Sequence, residues 1–397
     1  MRLYFILILC FIAGKTMVQA QQWQQVSSLP DTFSKTHHSF AFAIDDVGYI
    51  VTGESDAGPR DDFYKYDADT DSWTALPSFP GPARGYAIGD TWNGKAYFGF
   101  GYDEESLLND FWVFDPSDMS WTELASCPCM ARIHPAMVAI NGKVFMGMGN
   151  GSTGNFNDWW EYDIASDTWT QKTNLPSLER HHPYQFGIDN AAYTGFGHGE
   201  DIYNNWFRYD IQDQTWTQVA SLPAEGRVAG TQFSYNGIGY VLSGDGEDHK
   251  SMLTGEFWAY DPAQDNWEEL TPHPGSSRWA PASFIIEGEV YLINGTSFDN
   301  YVSDVYKYKL KETVTNAPLL SPITIDFYPN PAKDFLNIKV PEHINFEVRI
   351  YNLDGSLIAN TNEPVIDIKN VSLGVYLLEI KDINTGHKVI KKWIKSN

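Results

Sequence analysis

The sequence predicts an all-β protein, in which a six-bladed β-propeller is followed by a small antiparallel β-sandwich. Three observations predict this fold. A tryptophan recurs at spacings of 48, 48, 47 and 51 residues, each repeat contains four short strand patterns, and no segment has helical periodicity. The recurring tryptophans are Trp73, Trp121, Trp169, Trp216 and Trp267. A period of about 50 residues is typical of repeated supersecondary units.

The first 20 residues have the pattern of a secretory signal peptide. Arg2 and Lys15 flank the apolar run of residues 3–13, and Val18-Gln19-Ala20 is an acceptable cleavage site. The apolar run is too short to span a membrane as a helix. We therefore expect residues 1–20 to be a signal peptide and residues 21–310 to form the propeller.

Each repeat opens with an apolar strand pattern that runs into a two-residue turn. The predicted first strands are residues 38–44, 85–91, 133–140, 182–188, 228–235 and 279–286. The turns are Asp45-Asp46, Asn93-Gly94, Asn141-Gly142, Asp189-Asn190, Asn236-Gly237 and Glu287-Gly288. Asn-Gly between apolar alternations is a strong hairpin signal, because both turn residues must take positive φ.

The remaining strands of each repeat carry fixed markers. The second strand has an aromatic residue and ends on glycine, the third contains an aromatic-Asp pair, and the fourth contains the tryptophan. The sixth repeat stops at Leu310 without its tryptophan, whereas Trp23 has the pattern of a fourth strand. We expect residues 22–28 to pair with the third strand of the sixth repeat, which would leave no open edge.

These markers resemble the blades of the kelch-repeat family over residues 22–310. The family's Gly-Gly doublet is degenerate here and reads Thr52-Gly53, Phe100-Gly101 and Asn294-Gly295. The resemblance implies a propeller whose loop face binds a ligand. Some kelch propellers are sialic-acid mutarotases, so the resemblance also implies an enzymatic alternative.

The C-terminal part of the chain differs in character from the repeats. Residues 311–324 are polar and contain proline, which is typical of a linker. Residues 325–397 contain strand patterns at 346–351, 365–368, 374–380 and 388–394, which predict a small antiparallel sandwich. One interpretation of these residues is an adhesive β-sandwich.

This tail resembles a type IX secretion system type A sorting domain. The residues that carry the resemblance are Phe327-Tyr328-Pro329-Asn330-Pro331, Tyr351-Asn352-Leu353-Asp354-Gly355, Gly374-Val375-Tyr376 and a final lysine-rich strand. The resemblance implies that residues 325–397 engage an outer-membrane secretion machinery. The protein is then expected to be secreted or held at the cell surface.

Charge and cysteine content limit the possible partners and cross-links. The formal net charge of −24 argues against nucleic acid as a partner, because phosphate binding needs a positive surface. Cys10 lies within the predicted signal peptide, so the exported chain keeps Cys127 and Cys129. Two cysteines one residue apart on a strand rarely bridge each other, so we expect no disulfide between them. We expect a monomer without cofactor.

A basic residue recurs just before the first strand of five repeats, and Lys35 lies beside the equivalent place in the first repeat. The five residues are Arg84, Arg132, Arg180, Arg227 and Arg278. Acidic or amide residues recur before the third strands: Asp62, Asp110, Asp158, Asn205, Glu256 and Asp304. In a four-stranded up-and-down blade both sets lie at the same end. Each arginine either braces the fold through an acid or a carbonyl, or faces the central opening and binds an anionic ligand group.

Three histidines recur two residues after the basic position: His38, His134 and His182. Such positions are expected near the central channel. Three histidines can bind a metal, but here one comes from a distant repeat and the other two from neighbouring repeats, so we interpret them as polar channel lining that contributes to ligand binding. No metal site is predicted.

The sequence favours a secreted or cell-surface binding protein over an enzyme. Its predicted ligand is a glycan or a protein, bound by the five arginines and three histidines on the loop face. An alternative is a mutarotase or epimerase that acts on a sugar acid in the channel, where an arginine holds the carboxylate and a histidine or glutamate transfers the proton. Its candidate residues are Arg132, Arg180, His134, His182 and Glu256. A third alternative is a structural surface component without a small ligand.

Overall fold

The computed structural model describes residues 22–310, 326–339, 346–352, 357–382 and 388–396. The predicted signal peptide and linker lie outside the described residues. The chain divides into two compact units, Met1–Glu312 and Thr313–Asn397. Every regular secondary-structure element in the described residues is a β-strand, so the predicted all-β class is confirmed. None of the described segments forms an apolar helix long enough to cross a membrane.

Within its described residues, 22–310, the first unit contains six four-stranded antiparallel sheets. The N-terminal strand β1 (Gln24–Val26) belongs to the sixth of them. Sheet 1 contains β2 (Phe40–Ile44), β3 (Val47–Ser55), β4 (Gly58–Asp67) and β5 (Ser72–Ala75). Sheet 2 contains β6 (Ile88–Trp92), β7 (Lys95–Gly99), β8 (Phe111–Asp115) and β9 (Ser120–Leu124). Sheet 3 contains β10 (Ala136–Ile140), β11 (Lys143–Gly147), β14 (Trp159–Asp163) and β15 (Thr168–Lys172), with the hairpin β12 (Asn150–Gly151) and β13 (Gly154–Asn155) inserted.

The other three sheets repeat this order. Sheet 4 contains β16 (Tyr184–Ile188), β17 (Ala191–Gly195), β18 (Trp206–Asp210) and β19 (Thr215–Val219). Sheet 5 contains β20 (Thr231–Tyr235), β21 (Ile238–Leu242), β22 (Phe257–Asp261) and β23 (Asn266–Glu269). Sheet 6 contains β24 (Ala282–Ile286), β25 (Glu289–Ile293), β28 (Val305–Lys309) and β1, with the hairpin β26 (Thr296–Ser297) and β27 (Asn300–Tyr301) inserted.

The two-residue turns between the first and second strands form where they were predicted. In five of the six turns both residues have positive φ, for example Asn93 at 51° and Gly94 at 73°. This conformation matches the right-handed twist of a hairpin. The first strands begin two or three residues later than predicted, because the residue at the histidine position also takes positive φ and the extended strand starts after it.

Trp23 completes sheet 6 from the other end of the unit. Strand β1 pairs antiparallel with β28, with Gln25 opposite Tyr306. The indole nitrogen of Trp23 donates to the Thr271 carbonyl at the end of sheet 5, just as Trp267 donates to the Ala220 carbonyl at the end of sheet 4. Residues 24–26 therefore pair with the third strand of the sixth repeat.

The first strands of the six sheets lie side by side in chain order, and β24 of sheet 6 contacts β2 of sheet 1. Six apolar clusters fill the spaces between successive sheets, including one between sheets 6 and 1. The packing there is close: a Cβ atom on Gly48 of sheet 1 would lie 2.4 Å from the ring of Phe284 in sheet 6. The first strands thus surround a central space.

The second unit contains two antiparallel sheets. One is formed by β29 (Asp326–Tyr328), β30 (Phe335–Lys339) and β33 (Val365–Asp367). The other is formed by β32 (Leu357–Thr361), β31 (Phe346–Tyr351), β34 (Gly374–Asp382) and β35 (Lys388–Lys395), in that order. Leu336 and Ile366 of the first sheet share one buried cluster with Val348, Leu378 and Trp393 of the second. The predicted strands in this region therefore form, and their apolar faces share a core.

Candidate functional site

A cavity of about 670 Å³ lies between the first strands of all six sheets. At the end where these strands begin, it is lined by the six residues at the histidine position: His38, Tyr86, His134, His182, Ala229 and Ala280. All six have φ between 44° and 57°. Four of them donate a backbone hydrogen bond to an equivalent residue in the preceding sheet: His38 to Ala280, His134 to Tyr86, His182 to His134 and Ala280 to Ala229.

The three imidazole rings converge at this end of the cavity. The Nε2 atoms of His38 and His182 are 2.8 Å apart, and the ring centroids of His134 and His182 are 3.4 Å apart. Ligand nitrogens from all three lie within 4.8 Å of one another. These three histidines line the cavity, and residues of sheets 1, 3 and 4 contact one another there.

Burial keeps the three histidines neutral. It lowers the pKa of each imidazole well below the ordinary value of 6.5, and the neighbouring histidines lower the pKa further. Both ring nitrogens of His134 and the Nδ1 atom of His182 are buried without a hydrogen-bond partner among the described residues. A buried polar atom without a partner is unfavourable, so these nitrogens are poised for an external ligand.

Further rings surround the histidine cluster and form what we call the aromatic mouth: His37, Tyr86, Tyr102, His181, His198, His249, Trp279 and Tyr301. Seven of them are half-buried and His249 is exposed. Trp279 lies between His182 and His249, with centroid distances of 5.1 and 5.0 Å. Tyr301 stacks on His37 at an interplanar angle of 4°.

The aromatic mouth is built from the two loop sets that were predicted to share one end. Isolated bridges join the loop before the first strand to the loop after the second, for example between Gly85 and Tyr102, His181 and His198, and Trp279 and Thr296. Because these backbone contacts recur in several sheets, they hold the rings at fixed positions around the cavity.

The five recurring arginines lie inside the sheets, with side chains no more than 4% exposed. Arg132 donates to both carboxylate oxygens of Asp158, at 2.5 and 2.8 Å, and to the Met148 carbonyl at 2.9 Å. Arg84 makes the same contacts with Asp110 and the Phe100 carbonyl. Arg227 pairs with Glu256 and Arg278 with Asp304. The bracing interpretation accounts for these contacts.

The brace also joins neighbouring sheets through the main chain. The carbonyl of each arginine accepts a hydrogen bond from the glycine that ends the second strand pattern in the preceding sheet, for example Arg132 from Gly101 and Arg180 from Gly149. In sheet 1 the equivalent carbonyl is that of buried Thr36, which accepts from Gly295. Lys35 next to it is exposed.

The structure brings only part of the predicted site together. Among the described residues, the lining of the cavity includes the three histidines but neither the five arginines nor Glu256. Of the mutarotase candidates, His134 and His182 are in contact, whereas Arg132, Arg180 and Glu256 lie within sheets 3, 4 and 5. Sequence reasoning missed Asp90, a cavity residue that accepts hydrogen bonds from the Ala139 and Thr91 amides. Burial raises its pKa to about 6.

The expectation of two free cysteines was wrong. Cys127 and Cys129 form a disulfide, with their Cα atoms 5.1 Å apart. The prediction assumed an extended strand, in which the Cα atoms of residues i and i+2 lie about 6.6 Å apart. Instead, the chain bends at Pro128 and Cys129 after β9 has ended, and this bend brings the two Cα atoms closer together.

Comparison with known families identifies the second unit. Residues 326–396 match the family model of the secretion system C-terminal sorting domain. Domains of this type mark proteins for export across the outer membrane, so the protein is secreted or displayed at the cell surface and engages the secretion machinery. No curated protein is significantly similar to the chain.

Proposed function

We propose that this secreted or cell-surface protein is a six-bladed kelch-type propeller that binds a glycan at the aromatic mouth. The six sheets, their apolar interfaces and the contact between β24 and β2 support a propeller with residues 22–28 closing its last blade. The observation that carries the binding proposal is the set of half-buried rings around one end of the cavity. Aromatic rings with one free face stack on sugar rings, and their polar edges remain available for hydroxyl groups.

The placement of the arginines shifts the proposed contacts from the guanidinium groups to the rings. Arg84 and Arg132 already use their side-chain donors within their own sheets. The rings of Tyr86 and Trp279, in contrast, contact the histidine cluster directly. A carbohydrate bound here would therefore contact aromatic and imidazole rings first, and the five arginines would support the sheets beneath.

A glycan array probed with the full-length protein, including neutral and acidic sugars, tests this function. We expect binding to a subset of glycans and a loss of about fivefold in affinity for Trp279→Ala and for Tyr86→Ala, as one stacking contact is worth roughly 1 kcal/mol. Met119→Ala is the matched control, because Met119 is exposed in the turn between β8 and β9. An array without any bound glycan would shift the function to a protein ligand or a structural role.

A further inference from the structure

We propose that His38, His134 and His182 bind one divalent transition-metal ion, and that zinc fits the site best. The inference does not depend on glycan binding, since it concerns the three imidazoles alone. They are contributed by sheets 1, 3 and 4, and the fold brings their nitrogens to within 4.8 Å of one another although His38 and His182 are 144 residues apart.

The distances are close to those of a zinc site. Zinc bonds imidazole nitrogen at about 2.0–2.1 Å in a tetrahedral arrangement, which places the nitrogens roughly 3.4 Å from each other. The His38 and His182 Nε2 atoms are 2.8 Å apart, so small side-chain rotations bring the pair to ligand spacing. The hydrogen bonds from His38 to Ala280 and from His182 to His134 hold the backbone at these two positions.

The unsatisfied nitrogens are a second, independent observation. Both ring nitrogens of His134 are buried, and neither has a hydrogen-bond partner among the described residues. Buried polar atoms are normally paired. A metal ion at the centre of the cluster would satisfy one nitrogen of each ring.

The chemistry of the donor set limits the choice of ion. Three imidazoles suit zinc, copper or nickel, whereas calcium and magnesium prefer oxygen ligands. The neutral imidazole ring is the form that ligates metals. His37 supports this arrangement, since its Nδ1 atom lies 2.6 Å from the Nδ1 atom of His38 and orients that ring.

Three protein ligands leave one tetrahedral position for water or for an atom of a bound molecule. The neutral donors do not offset the charge of the ion, so the site would carry a double positive charge within a protein of formal net charge −24. Such a site would favour a ligand with an anionic or hydroxyl oxygen at the centre of the aromatic mouth.

The test uses the full-length protein without a histidine tag, stripped of metal with a chelator. The protein is dialysed against zinc, and bound metal is measured by elemental analysis. Cobalt replaces zinc in a parallel sample to give the visible absorption of a tetrahedral site. We expect one ion per chain, a cobalt spectrum of tetrahedral type, and at least a tenfold loss of zinc affinity in His134→Gln and in His182→Gln.

Met119→Gln is the control, because Met119 is exposed in the turn between β8 and β9, outside the cluster and the aromatic mouth. Its zinc affinity should stay within twofold of the wild-type value. Thermal melts of the metal-free variants check that each has folded, and His38→Gln provides a third variant if either of the others has not. Absence of bound zinc, or one equivalent bound with unchanged affinity in folded His134→Gln and His182→Gln, would overturn the proposal. Glycan binding without zinc binding would leave only the proposed function standing.

Discussion

Arg180 donates a 2.8 Å hydrogen bond to the side-chain oxygen of Asn205, in the place where Arg132 of the neighbouring sheet meets the carboxylate of Asp158. Arg180 is therefore the one member of the five that meets an amide at this position. Its guanidinium also donates to the Phe196 carbonyl and the Ser177 hydroxyl, so its hydrogen bonds are made although its charge is not balanced there. Burial lowers the pKa of Arg180 to about 10.

Asn205→Asp should stabilise the protein. It would give Arg180 a carboxylate partner, as the equivalent arginines of four other sheets already have. The side chain at position 205 is only partly buried, so the new carboxylate would keep some access to water. We expect a gain of roughly 1–2 kcal/mol in the free energy of unfolding, because charge-assisted bidentate pairs are stronger than neutral hydrogen bonds. Urea unfolding at pH 7 measures the change.

The reciprocal change in sheet 3 provides the comparison for this gain. Asp158→Asn should cost roughly 3 kcal/mol, since it leaves the buried Arg132 without its acid. If Asp158→Asn were neutral, or if Asn205→Asp destabilised the protein, the charge balance of these pairs would not matter to the fold.

Removal of the N-terminal strand should cost more than an ordinary terminal truncation. Deletion of residues 22–30 removes the pairing of β1 with β28 and the ring of Trp23, which packs against Phe257 and Tyr308. We expect a drop of at least 10 °C in the melting temperature of the first unit, or failure to fold. Trp23→Ala, which keeps the backbone, should cost roughly 2–3 kcal/mol. A deletion that left the melting curve unchanged would contradict closure of sheet 6 by this segment.

The pKa of His273 predicts a loss of stability in acid. Burial, aided by the charge of Arg278, lowers this pKa from 6.5 to about 4 in the folded protein. The unfolded chain binds the proton more tightly than the folded protein does, so protonation of His273 favours unfolding. The stability that neutral His273 provides is therefore fully present above pH 6.5 and is lost as the pH falls to 4. The resulting decrease in the free energy of unfolding is roughly 3 kcal/mol. His273→Gln should show a smaller loss than wild type in urea unfolding between pH 7 and pH 4; parallel pH profiles would refute this role.

The disulfide between Cys127 and Cys129 should contribute little to stability, because the loop that it closes is very short. Chain-entropy arguments give roughly 1.5 kcal/mol for a loop of this size. Cys129→Ser should therefore lower the melting temperature by only a few degrees, and wild type in reductant should melt with the variant. Equal melting temperatures for Cys129→Ser and oxidised wild type would show that the disulfide contributes nothing to stability.

The repeated strands could be predicted because their signals are local. The turn Asn93-Gly94 requires positive φ at both residues, and the recurring tryptophans set the spacing between sheets. The spacing even identified Trp23 as part of the last sheet. The disulfide escaped prediction because an extended strand was assumed, whereas the chain bends at Pro128 and Cys129 and brings the Cα atoms of the two cysteines to 5.1 Å.

The candidate site was harder to predict, because it depends on directions and distances between repeats. The sequence places Arg132 next to the start of a first strand, but its side chain turns into the sheet because Asp158 and the Met148 carbonyl lie there. Sequence separation suggested that His38 is distant from His182. Their contact follows from the narrow space between the first strands, which local patterns do not encode.

The pairing of Gln25 with Tyr306 also bears on the lifetime of the folded state. This contact cannot form until nearly all of the first unit has been synthesised and its other sheets have brought the two ends together, since closing so long a loop is entropically costly. Contacts made late in folding chiefly govern the unfolding rate. The pairing of β1 with β28 should therefore slow unfolding. Its stability should determine how long the exported protein resists extracellular proteases.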